Sequence, residues 1–246
     1  SCSIWCLRRN RCLRAALTAR FQGYATLDSF FPGAGTMKKT RQIERRRLIS
    51  TMVAAGVLPW HRLLADDKLL PVTPADAEGP FYPVEIPSDS DNDLLRVVGK
   101  KDISPGQLAY VHGTVVDRQG TPVDGARVEI WQCDEGGVYH HPGDPGEPDM
   151  RFQGFGAMVT SRAGGYHFRA MRPVPYTGRT PHIHFRVSAP GFDRLTTQLY
   201  VAEEAERNSG DFLYKRHTPD EQALVTTAFR PADDGSTAAE FNIVLG

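Results

Sequence analysis

Two histidines two residues apart, His182 and His184, close the run PVPYTGRTPHIHF, which also holds Tyr176 and Arg179; a second tyrosine, Tyr139, stands upstream in EGGVYHH. In an extended strand side chains alternate between faces, so both imidazoles point one way while Ile183, Phe185 and Val187 point the other. The apolar set can enter a core while the imidazoles reach one ion. Imidazole serves several transition metals, but a phenolate is a hard anionic oxygen donor that favours a highly charged hard cation such as Fe(III) over Zn(II) or Cu(I). An HxH pair alone is weak evidence for a metal and more often marks solvated positions on a half-exposed strand, and Tyr176 after Pro175 also suits a turn.

Such residues need a scaffold that presents them on one surface. Short β-type runs recur between Gly, Pro and Asp: LAYVHGTVVD, RVEIW, GAMVTS, GYHFRAM, HIHFRVSA, LTTQLYV, TTAFRP and EFNIVL. This pattern predicts an all-β chain, an antiparallel β-sandwich over residues 104–246. Before it, residues 66–103 read as an extended, proline-punctuated arm containing AEGPFYPVEIP. The stretch Glu203–Tyr214 is expected to hold no more than a turn of helix. The run from His182 to Val201 reads as a hairpin around Pro190-Gly191, which puts Gln198 roughly opposite His184 and on its face. Arg179 adds a fixed positive charge; each of these two, taken singly, is also an ordinary surface or sheet-face residue.

The formal charge of zero hides an asymmetry: residues 1–65 carry 12 Lys/Arg against 2 Asp/Glu, and residues 66–246 carry 17 against 27. An acidic body argues against nucleic acid as a partner. The basic end is expected to lie outside the fold. Residues 37–65 read as a signal peptide: a basic segment with Arg45, Arg46 and Arg47, then an apolar run from Leu48 to Leu58. That run falls well short of the roughly 20 residues of a membrane-spanning helix, and the arginines resemble a twin-arginine export signal. Export to the periplasm or the extracellular space is the expectation, with a basic amphipathic helix as the alternative. Residues 1–36 are read as an upstream or non-native extension without structure. Cys2, Cys6 and Cys12 lie there, which leaves Cys133 alone in the body, as a small core hydrophobe.

Several blocks in order, EGPFYP, ARVEIWQCDEGGVYHH, FQGFG, GGYHFRAMRPVPYTGRTPHIHF and TTQLYV, resemble the intradiol ring-cleavage dioxygenases, the family of protocatechuate 3,4-dioxygenase and catechol 1,2-dioxygenase. The resemblance runs from about Glu78 to Phe212. It implies a non-haem Fe(III) held by Tyr139, Tyr176, His182 and His184, with Arg179 and Gln198 beside the substrate and Tyr176 doubling as a proton acceptor. It also implies insertion of both atoms of O2 into a catechol-type substrate to give a cis,cis-muconate-type diacid. Phe81, Tyr82, Phe152 and Phe155 are expected to line the substrate pocket. The spacing from Tyr176 to His182 is shorter than in the protocatechuate enzymes, and no counterpart of the helical N-terminal domain of the catechol enzymes is legible. Both departures leave the choice of catechol open, as is the oligomeric state, a homo-oligomer included. GTVVDRQGTPVDGARVEIW also resembles transthyretin-like modules, so a metal-free binding protein is the alternative from another class. A cupin-type Fe(II) site shares HxH but expects a glutamate soon after it, which is missing after His184.

Overall fold

The computed structural model describes residues 68–246. The expectations for residues 1–36 and for the export signal at 37–65 lie outside the described residues. Among the described residues ten strands follow one another: β1 (Leu108–Asp117), β2 (Arg127–Trp131), β3 (Phe155–Val159), β4 (Gly165–Met171), β5 (His182–Ser188), β6 (Leu195–Val201), β7 (Thr226–Thr227), β8 (Arg230–Pro231), β9 (Thr237–Glu240) and β10 (Ile243–Leu245). Two short helices, α1 (Ala205–Gly210) and α2 (Pro219–Val225), sit between β6 and β7. Residues 68–107 form an arm without a strand of its own, as its prolines require. No helix among the described residues is long and apolar enough to cross a membrane.

The strands make two five-stranded sheets. In the first, β1 pairs with β4 along one edge and with β9 and β10 along the other, and β8 lies outside β9. In the second the order is β3-β2-β5-β6-β7. One apolar cluster joins their facing sides: Val111, Phe168 and Ile243 from the first, and Ile130, Ile183, Phe185 and Leu199 from the second. Strand alternation produces this directly, since odd-numbered residues of β5 enter the cluster and His182, His184 and Arg186 are left on the outer face.

The sheets are mixed, which corrects the antiparallel expectation. β9 and β10 run parallel to β1, and β7 runs parallel to β6. Parallel neighbours need a crossover rather than a tight hairpin, and the helical segment after β6 supplies one. That segment is also more helical than expected. Thr218 caps α2 through a reciprocal capping box with Glu221, and Pro219 occupies the first turn, where its missing N–H costs nothing. The run TPDE carries this N-terminal signature in the sequence itself.

Candidate metal centre

The site is built on the outer face of the second sheet. β5 lies between β2 and β6, with Trp131 paired to His184, His184 to Gln198, and His182 to Tyr200. The expected register of Gln198 against His184 is the observed one, because Gly191, at φ 85°, turns the hairpin as anticipated. His182 and His184 are both buried, and their Nε2 atoms stand 3.2 Å apart. His182 is fixed by its Nδ1, which lies 2.6 Å from the Thr180 carbonyl oxygen. That contact makes Nδ1 the protonated nitrogen and leaves Nε2 with a free lone pair. His184 is held differently, its ring stacked on Trp131 with centroids 4.8 Å apart and 6° between planes.

The two tyrosines arrive from loops. Tyr139 follows the turn at Asp134–Val138, whose backbone N–H groups the Asp134 carboxylate gathers. It is buried, and its hydroxyl has no hydrogen-bond partner among the described residues. Tyr176 sits on the short turn closed by the Arg179 N–H to the Tyr176 carbonyl, 2.9 Å. Its ring meets Tyr139 edge-on at 5.2 Å and His182 at 5.4 Å. Residues 37 positions apart thus share one pocket with the HxH pair. Two neutral imidazole nitrogens, an orphaned buried phenol and a second phenol beside it are what a hard trivalent cation would satisfy, so the donor set fits Fe(III). Among the described residues no three His, Cys, Asp or Glu side chains come together as an alternative site.

Electrostatics agree with that fit. Burial, then the Arg179 charge, hold His182 down to about 4, and burial, then the neighbouring His182 and Arg179, hold His184 well below the ordinary imidazole range. Both imidazoles therefore stay neutral and able to ligate near pH 7. Burial, then Cys133 and Tyr176, push the Tyr139 phenol well above its usual range. Burial also raises Tyr176, but Arg179 works against it. Without a cation both phenols keep their protons.

Arg179 lies behind Tyr176 in a buried network. Its Nε donates to Asp211 Oδ2 at 2.8 Å, one Nη to Gln198 Oε1 at 2.7 Å, and the other reaches the Tyr176 hydroxyl at 3.4 Å. Gln198 Nε2 donates to the Ala77 carbonyl at 2.9 Å, which fixes its amide orientation. The Tyr200 hydroxyl, 2.6 Å from Asp76 Oδ2, completes the row. A hollow of about 250 Å³ opens beside Tyr176, Arg179 and Asp211. A larger one of about 540 Å³, lined by His112, Thr226 and Glu240, includes none of the candidate residues.

Phe81 and Tyr82 are half-buried over the site, Phe81 stacked on Tyr139 at 4.7 Å. Phe155 is buried in a small cluster with Trp131, Cys133 and Tyr139, under the edge of Tyr82, and supports the site from below. Phe152 departs from expectation: it is fully buried in the core cluster between the sheets, with Leu94 and Phe168, because its side chain turns inward before β3 begins. Cys133 is the buried core residue expected of it, its thiol pushed up to about 12 by burial. Trp131, Tyr200, Asp76 and Asp211 were missed. Trp131 and Tyr200 follow from sheet register once the strands are paired, whereas Asp211, 32 residues from Arg179, carries no local signal.

Two packed β-sheets thus carry Tyr139, Tyr176, His182 and His184 in one pocket on an outer face, and comparison with known proteins gives the family of the chain. The family model described as Dioxygenase matches residues 77–246, and the chain belongs to the intradiol dioxygenase family. A hydroxyquinol 1,2-dioxygenase of Corynebacterium glutamicum is 36% identical over 127 residues, 44% of this chain and 41% of that protein. A catechol 1,2-dioxygenase of Candida albicans is 34% identical over 143 residues, 51% of this chain and 46% of that protein. The solved dioxygenase domain of a dioxygenase–carbohydrate-binding fusion from Streptomyces sp. SirexAA-E is 32% identical at a TM-score of 0.57, covering 71% of this chain and 98% of that one. The matched segment spans less than half the length of either curated relative.

Proposed function

We propose that this chain is an Fe(III)-dependent intradiol dioxygenase that opens a catechol-type ring between its two oxygenated carbons, with Tyr139, Tyr176, His182 and His184 holding the iron. The observation that carries this reading is the pair of buried Nε2 atoms, 3.2 Å apart, in one pocket with Tyr139, whose ring meets His184 at 6.1 Å and whose buried hydroxyl has no partner among the described residues. Bound Fe(III) would draw electron density from a catechol attached through both oxygens and make its ring reactive toward O2.

The chain's own residues do the rest. A catechol must lose two protons to bind through both oxygens, and the Tyr176 Oη is placed to accept one. Tyr176 is only half-buried and its flanking Thr177 and Gly178 are exposed, so its side chain has room to move, while Tyr139 is walled in. Arg179 stabilises negative charge on the ring oxygens; its guanidinium is aimed by Asp211, so no reorganisation is needed when charge develops. Gln198, pinned between Arg179 and Ala77, presents a fixed amide to the same space. Phe81 and Tyr82 keep water from the ring. Both atoms of O2 end in the diacid, so the overall reaction needs no reductant.

Iron-loaded protein incubated under labelled O2 with catechol, hydroxyquinol and protocatechuate is expected to give, for at least one of them, a muconate-type diacid carrying two labelled oxygens, read by mass spectrometry. A yellow semialdehyde, the product of cleavage beside the two oxygenated carbons, would reject the assignment. Protein that binds no iron and turns over no catechol would return the reading to a binding module.

A further inference from the structure

The arm residues 78–82 cross the outer face of the second sheet directly over the site. Gly79 sits so close to His184 that a side chain there would meet the imidazole Cε1 at 3.4 Å, and its φ of 73° is one that L side chains rarely adopt. Two residues on, Phe81 covers Tyr139 and touches Tyr176 edge-on at 5.9 Å. Yet no backbone group of residues 78–82 hydrogen-bonds to the backbone of the sheet. Side chains must hold this segment down.

Arg186 is the residue placed to do so. It lies on β5 two positions beyond His184, and strand alternation puts it on the site face. Its guanidinium donates to Glu78 of the arm, lies 3.5 Å over the Tyr82 ring, and stands 3.9 Å from Glu129, its cross-strand neighbour on β2. The Tyr82 hydroxyl reaches the same Glu129 at 3.4 Å. One cation thus grips the arm at two points, by charge at Glu78 and by the ring face at Tyr82, from a side chain that is itself nearly buried. Salt screens such a pair less than an exposed one.

Resting on the metal reading above, we propose that Arg186 is a positioning residue: through Glu78 and Tyr82 it latches residues 78–82 shut over the candidate metal centre. The latch sets how long the site stays covered and how well Phe81 is placed against a bound ring. With the arm detached, the ligands are open to solvent and the fraction of molecules competent to hold the substrate falls; apparent affinity falls in proportion to that fraction. The chemical step, which depends on Arg179 and Tyr176, is untouched.

The test uses iron-loaded protein with Arg186→Met, which keeps the apolar stem on Tyr82 without the charge, with Glu78→Gln, a half-exposed change that leaves the core intact, and with both together. Two quantities are read: the rate at which a strong chelator strips the iron, and KM against kcat on the substrate found above. Each single variant is expected to lose iron about tenfold faster and to raise KM about tenfold with kcat within about twofold. The double variant is expected to go no further than Arg186→Met alone, which already removes both grips. Stripping rates and KM within about twofold of the parent overturn the latch, and so does an effect in one single variant only. Failure of the parent to bind iron at all would instead count against the metal reading, which the stripping assay detects before any variant is made.

Discussion

Tyr139→Phe is expected to cost the protein its iron while making the metal-free form more stable. The Tyr139 hydroxyl is buried with no partner among the described residues, and a buried unpaired hydroxyl costs about 1–3 kcal/mol. Phenylalanine keeps the ring, its stack on Phe81 and the small cluster around it, and removes only that oxygen. Urea unfolding of the apoprotein should therefore show a gain of about 1 kcal/mol. Iron content after dialysis against a chelator should fall by about 100-fold in apparent affinity, since a direct ligand is worth at least as much as the outer-shell partners that cost 10–100-fold. A site that sacrifices stability for binding has this signature. An apoprotein weakened by the change, or one that retains its iron, would mean that the hydroxyl serves another purpose.

Tyr176→Phe is the contrasting half of that experiment. Tyr176 is half-buried, contacts Arg179, and lies on an exposed turn. Its loss should leave part of the iron in place and reduce catechol binding and turnover more than Tyr139→Phe does per iron retained. Equal iron loss and identical visible spectra in the two variants would remove the division of roles between ligand and proton acceptor.

The second large effect is expected at Asp211, which touches none of the candidate ligands. Its carboxylate is fully buried and accepts from Arg179 Nε, from the Thr180 N–H, and from the N–H groups of Leu213 and Tyr214. Asp211→Asn leaves the Arg179 guanidinium buried without its counter-charge, a change that typically costs 3–5 kcal/mol; about that loss is expected in apoprotein unfolding at pH 7. Burial alone would raise the Asp211 carboxyl, but the hydrogen bonds from Arg179, Tyr214 and Thr180 outweigh it and hold the group below its ordinary range. A folded-state value below the unfolded one means that the carboxylate stabilises the protein above the unfolded value, about 3.9, and that this contribution is lost as pH falls through the folded value. The gap between parent and Asp211→Asn should therefore be full at pH 7 and narrow below about pH 4. A gap that stays constant down to pH 3 would show that the charge is not the source of the loss.

Much of the site could be read before any coordinates. The HxH spacing on a strand fixes which face the imidazoles share, because alternation is a local property of extended backbone. Pro190-Gly191 sets the hairpin, so Gln198 could be placed opposite His184 from the chain alone. Tyr139 and Tyr176 were legible by their motifs, though nothing local says that two loops 37 residues apart converge. What only the tertiary structure decided is everything that depends on contacts distant in sequence. Phe152, three residues from Phe155 and equally aromatic, goes into the core between the sheets while Phe155 goes under the site. Asp211 meets Arg179 only because the crossover from β6 to β7 folds back over the sheet edge, and the same crossover makes the sheet mixed rather than antiparallel. Arg186 had a place on the site face by simple counting, but its partner Glu78 stands 108 residues earlier on an arm with no strand pattern. Periodicity constrains neighbours along the chain; pairings across it follow from how the two sheets and their loops pack, and no period in the sequence encodes them.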